Sequence, residues 1–92
     1  MKVIVRAFAN FREILPARAE FELGKGANVA DLLELLCKKY AGLRGMLFDK
    51  KGAVREYVNI MKSGNHINYL DGLKTKLEDW DEVAIFPPVA GG

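Results

Sequence analysis

Only one stretch of this chain carries apolar residues at the period of a helix, and that constrains everything around it. At about 100° per residue from Val29, the side chains of Leu32, Leu33, Leu36 and Tyr40 fall within about 60° of one direction. Asp31, Glu34 and Lys38 lie opposite. Asn28 is placed to cap the first turn, and Asp31 suits the positive helix end. Lys38 and Lys39 suit the negative end, and Gly42 fits the left-handed residue beyond it, so the spacing predicts a helix over Val29–Ala41. The segments on either side alternate at the period of a strand. The chain has 92 residues, room for a single core. A hairpin cannot cover itself, so the helix must lie across a sheet.

The first strand is Met1–Ala9, with Val3, Val5 and Ala7 toward the core and Lys2, Ile4, Arg6 and Phe8 on the other face. Asn10–Leu15 reads as a connector of one helical turn, ended by Pro16. Arg18–Leu23 alternates again, with Ala19, Phe21 and Leu23 inward and Glu20 and Glu22 outward, until Gly24-Lys25-Gly26 ends it. After the helix, Leu43–Gly52 suggests no element: two glycines flank the short apolar Met46-Leu47-Phe48. Glu56–Lys62 is a third strand with Val58 and Ile60 inward, turning at Ser63-Gly64-Asn65 and returning through His66–Leu70. Leu73 and Leu77 anchor the next loop, and Asp79-Trp80-Asp81 leads into the last strand, Glu82–Phe86. There Val83 and Ile85 take one face, Ala84 and Phe86 the other, and Pro87-Pro88 stops the ladder. With the helix in the crossover, the first and last strands can be parallel central neighbours. The predicted architecture is α+β: a ubiquitin-like β-grasp, a mixed sheet of about five strands under one main helix. It forms a single domain over 1–92, with a flexible tail at 89–92.

Charge and cysteine content remove several function classes. Fourteen Lys+Arg against twelve Asp+Glu leave a net charge of +2, and the two signs are interleaved, which argues against nucleic acid as a partner. One cysteine and one histidine cannot make an internal disulfide, an iron–sulfur cluster or a thiolate zinc site, so no bound cofactor or metal is expected. The apolar stretches fall far short of the roughly 20 residues of a membrane span, and the N-terminus lacks a signal-peptide core. The expected setting is the cytoplasm.

The last residues read Pro87-Pro88-Val89-Ala90-Gly91-Gly92. Two prolines stiffen the exit from the strand and hold the end of the chain off the sheet. The four residues beyond them reach about 13 Å when extended. Glycine lacks a Cβ, so Gly91 and Gly92 can enter a slot too narrow for any side chain. The reactive group would then be the α-carboxylate of Gly92. A carboxylate is inert to nucleophiles until one oxygen becomes a leaving group, and adenylation by ATP is the common route. The acyl-adenylate can receive sulfur, giving a thiocarboxylate, or an amine, giving an amide.

The segment Leu77-Glu78-Asp79-Trp80-Asp81-Glu82-Val83-Ala84-Ile85-Phe86-Pro87-Pro88-Val89-Ala90-Gly91-Gly92 resembles the C-terminal signature of the MoaD/ThiS-type ubiquitin-like sulfur carriers. Asp81-Glu82-Val83, then Phe86-Pro87-Pro88-Val89, then Gly91-Gly92 is most similar to the MoaD branch, the sulfur-carrier subunits of molybdopterin synthase. Phe8-Ala9-Asn10-Phe11-Arg12-Glu13-Ile14 resembles the family's start, and Val58-Asn59 its mid-chain strand. Trp80 departs from the pattern, standing where the family usually has glycine in a tight turn. The resemblance implies an E1-like adenylyltransferase that uses ATP and magnesium, a sulfur donor, and docking on the large subunit of molybdopterin synthase. Two sulfur transfers would build the dithiolene of molybdopterin, with the catalytic bases on the partners. Leu70–Leu77 resembles archaeal members, some of which double as protein modifiers, so target proteins joined through Gly92 are the alternative, alongside thiamin or tRNA thiolation.

Strand parity alone brings Phe8 and Phe86 to the face away from the helix, on adjacent strands. Both then belong to an exposed docking patch continued by Pro87, Pro88, Val89 and Ala90; ordinary surface aromatics are the plain alternative. His66 lies near the same face, and a simple hairpin residue is its plain reading. Cys37 sits at the boundary of the core as a structural thiol, and Trp80 is expected to cover one edge of the core.

Overall fold

The computed structural model describes residues 1–87. Alternation places Val3, Val5 and Ala7 of β1 (Lys2–Ala7) on one side, all three buried. Chain reversal through a 3-10 turn at Ala9–Glu13, pinned by the buried Phe11, returns the backbone as β2 (Arg18–Glu22). α1 (Val29–Lys39) carries the predicted cap. The Asn28 side chain accepts the Asp31 N–H, and the Asp31 carboxylate accepts the Asn28 N–H, each at 2.9 Å. Its buried stripe is Val29, Leu32, Leu33 and Leu36. After α2 (Leu43–Leu47) come β3 (Asn59–Lys62), β4 (Asn65–His66) and β5 (Asp81–Phe86). The sheet order is β2-β1-β5-β3-β4; β1 and β5 are parallel, and the other neighbours antiparallel. This is the expected ubiquitin-like β-grasp, five mixed strands under one main helix. The core fills the space between α1 and one face of the sheet, where Phe21, Ile60, Val83 and Ile85 join the β1 residues.

Several local expectations are corrected, each for a physical reason. α1 stops at Lys39 rather than Ala41, and Tyr40 is extended (φ −116°, ψ 108°). Gly42 is left-handed as expected (φ 87°), but it opens α2, an element absent from the sequence reading. The break turns Leu43 and Leu47 into the core, where neither is exposed. β3 begins at Asn59, not Glu56: in the antiparallel register Asn59 faces Phe86, and the next partner is Pro87, which has no N–H to give. β4 is short because the His66 Nδ1 accepts the Asn68 N–H at 3.0 Å, starting a 3-10 turn that buries Ile67 instead of extending to Leu70. Trp80 does not cover the core; it is 55% exposed. It occupies the left-handed region (φ 66°), and its N–H donates to the Lys2 carbonyl at 2.6 Å. The tight turn that suits glycine is therefore present here with tryptophan in it.

Candidate functional site

Parallel pairing of β1 with β5 aligns Val5 with Val83 and Ala7 with Ile85, and the Phe8 N–H donates to the Ile85 carbonyl at 3.1 Å. The next side chain on each strand turns away from α1. Phe8 and Phe86 consequently meet on the open face, ring centroids 6.0 Å apart and ring planes at 87°, the edge-to-face arrangement that aromatic quadrupoles favour. Ala9, Ala84 and Pro87 complete a shallow apolar depression around them. The small Ala84 side chain lines the floor between the strands, and both rings are half-buried rather than fully exposed. Ala9 turns the chain sharply with a left-handed φ of 53°, beginning the 3-10 turn.

Two guanidinium groups stand against Phe8. Arg6 and Arg12 each place the central carbon 5.5 Å from the ring centroid. Arg6 pairs with Glu82 across the strands at 3.6 Å, and the Arg12 Nε donates to the Ala7 carbonyl at 2.9 Å. The depression is thus apolar at its centre and cationic on one side.

His66 stands apart from this group. The open-face row runs from Arg6 through Ala84 and Met61 to His66, so β3 separates it from the aromatics. Its Nδ1 accepts from Asn68, so the ring proton sits on Nε2 and is given to the Asn59 Oδ1 at 3.2 Å. Tyr69 packs edge-on against it at 6.4 Å. Both ring nitrogens therefore serve internal contacts. Cys37 is partly buried against the core, and burial pushes its thiol up from the ordinary value, which suits a structural role.

Among the described residues there is no grouping of His, Cys, Asp and Glu that could hold a metal, and no helix long and apolar enough to cross a membrane. Pro88, Val89, Ala90, Gly91 and Gly92, with the expected tail flexibility, lie outside the described residues. Arg12, Ala9 and Met61 are the neighbours that sequence reasoning missed. Met61 was available from parity with Ile60. Arg12 was available once Phe11 is known to point inward, because the next residue of so tight a turn must point out.

A family model described as the ThiS family matches residues 5–92. Small archaeal modifier protein 3 of Haloferax volcanii is 41% identical over 93 residues, covering 100% of both chains. A molybdopterin synthase sulfur carrier subunit of Chlamydomonas reinhardtii is 34% identical over 94 residues, again covering 100% of each. Among solved structures, small archaeal modifier protein 1 of Methanosarcina acetivorans superimposes with a TM-score of 0.85 at 37% identity, covering 99% of this chain and 96% of that one.

Proposed function

This chain belongs to the ThiS family of ubiquitin-like sulfur carriers, and from that premise we propose that its working group is the α-carboxylate of Gly92. A carboxylate oxygen attacks the α-phosphorus of ATP in the pocket of an E1-like enzyme, with magnesium, and pyrophosphate leaves. A sulfide-level nucleophile from a sulfur donor then displaces AMP, leaving a thiocarboxylate. Phe8, Phe86 and Pro87, continued by Pro88, Val89 and Ala90, form the surface by which the carrier docks while Gly91 and Gly92 enter a narrow channel. On the large subunit of molybdopterin synthase, two such carriers supply the sulfurs of the dithiolene. This chain contributes no catalytic base.

One observation carries the reading: the glycine pair lies just past the central strand β5, whose last residue, Phe86, sits in the open-face aromatic pair. A docked partner therefore covers the end of the strand that leads, in sequence, to the glycine pair. Full-length similarity to a modifier protein at 41% identity supports a second reading, amide transfer from the same adenylate to lysines of target proteins.

Intact mass after incubation with an E1-like enzyme, ATP, magnesium and a sulfur source tests the shared step. The expected product carries one sulfur in place of one oxygen. Deleting Gly92 abolishes that product, and a Gly92-deleted chain that still transfers sulfur overturns the proposal. Dithiolene formation with the large synthase subunit then supports the carrier role, whereas a ladder of high-mass conjugates in cell extract supports the modifier role.

A further inference from the structure

The two arginines that touch Phe8 stand in different electrostatic situations. Arg6 already has Glu82 at 3.6 Å, and Arg18, further along the open face, has Glu20 at 3.7 Å. Arg12 has no acidic partner within 4.0 Å among the described residues. Yet it is held in place from both ends. Its backbone lies in the 3-10 turn anchored by the buried Phe11, and its Nε is bound to the Ala7 carbonyl at 2.9 Å while the guanidinium rests against the Phe8 ring. Its central carbon lies 5.5 Å from the centroid of Phe8, one of the residues that line the apolar depression.

We infer that Arg12 selects the partner: the adenylate-forming enzyme that docks on Phe8 and Phe86 presents a carboxylate opposite Arg12. This rests on the docking reading proposed above. Covering the two rings with apolar surface also strips water from the guanidinium beside them. An unpaired cation in that position opposes docking unless an anion meets it. A carboxylate is the acceptor whose two oxygens match the guanidinium fork, and the fork is already oriented, so little side-chain freedom is lost on pairing. A protein with a fitting apolar surface but no such carboxylate is rejected. Lysine replaces Arg12 only in part, because it keeps the charge but neither lies flat on Phe8 nor keeps the planar bond to Ala7.

The test is ATP–pyrophosphate exchange by the E1-like enzyme of the same organism, followed against carrier concentration at several salt concentrations. Arg12→Gln is expected to raise the KM for the carrier about tenfold at low salt, the effect falling on KM rather than kcat. Arg12→Lys recovers part of that loss, and the gap between parent and Arg12→Gln narrows as salt screens the pair. A role confined to bracing the turn would instead lower Tm and leave the salt dependence of KM as in the parent chain. An Arg12→Gln KM within twofold of the parent, or a rise in KM that salt does not diminish, overturns the inference. The parent chain reads the same point without any variant: a carrier KM that does not rise with salt also overturns it. Phe8→Ala separates the two levels. If it raises KM while Arg12→Gln does not, the docking face stands and the inference alone fails; if neither does, the docking face itself is wrong.

Discussion

At the scale of the residue, Trp80 shows most clearly how a tertiary demand overrides a local preference. Left-handed backbone costs an ordinary L-residue roughly 1–2 kcal/mol, yet Trp80 adopts it (φ 66°) because the turn between Glu78 and Asp81 is locked on several sides. The Asp81 carboxylate accepts the Glu78 N–H at 2.6 Å and the Ser63 hydroxyl at 3.1 Å, while the Lys2 N–H donates to Asp79 at 2.8 Å. With its indole half exposed, tryptophan contributes little packing in return. Trp80→Gly is therefore expected to hold or raise stability, and Trp80→Val to lower it by about 1 kcal/mol, since a branched Cβ tolerates this region worst. Urea midpoints at unchanged m-value decide it; a Trp80→Gly protein less stable than the valine variant would mean the indole packs in a way its exposure denies. The residue pattern did announce this turn, through the family resemblance. It did not announce that tryptophan would accept the glycine conformation, because that depends on Lys2, Ser63 and Asp81 arriving from separate segments.

At the scale of the element, α2 depends on partners remote from its own five residues. Its sequence, Leu43-Arg44-Gly45-Met46-Leu47, is too short to be helical by propensity. Burial of Leu43 and Leu47 holds one side, and the Arg44 guanidinium grips the Glu34 carboxylate of α1 with two hydrogen bonds of 3.0 and 2.8 Å on the other. That grip lowers the Glu34 carboxyl pKa below its ordinary value, chiefly through the hydrogen bonds to Arg44. A carboxylate whose folded pKa is lowered contributes stability above its unfolded value and loses it as pH falls through the folded one. Glu34→Gln and Arg44→Met should each remove a small, salt-sensitive increment at pH 7 that shrinks as pH is lowered to 3, both groups being solvent-facing. Equal losses at the two pH values would assign the effect to packing of the Arg44 stem. α1 itself was legible because its apolar stripe and its capping box lie within one segment. α2 was not, since a five-residue helix has no period to read and its two leucines acquire a direction only from the core.

At the scale of the molecule, the sheet has one face under α1 and one that no described element covers, and the same substitution chemistry should read differently on each. Leu36→Ala opens a cavity in the covered face and should cost about 2–5 kcal/mol. Phe86→Ala on the open face should cost the isolated domain distinctly less, while weakening partner binding by about 1–3 kcal/mol. Chemical denaturation beside the exchange assay compares the two. A Phe86→Ala domain as unstable as Leu36→Ala would mean the open face is part of the core. The assignment of faces came from period two in β1, β2 and β5 and period 3.6 in α1, patterns that burial of a single core imposes on any chain of this length. A helical crossover allowed β1 and β5 to be parallel neighbours, as they are, while the full order β2-β1-β5-β3-β4 came from the structure. By itself, then, the sequence determined the architecture, the two faces and the pairing of Phe8 with Phe86. Tertiary structure alone decided where β3 starts against Pro87, how Gly42 and α2 close the core, and that Arg12 stands beside Phe8 without an acidic partner among the described residues. The division has a physical cause. Periodicity is written along one segment, whereas register, caps and charge pairing exist only between segments that folding brings together.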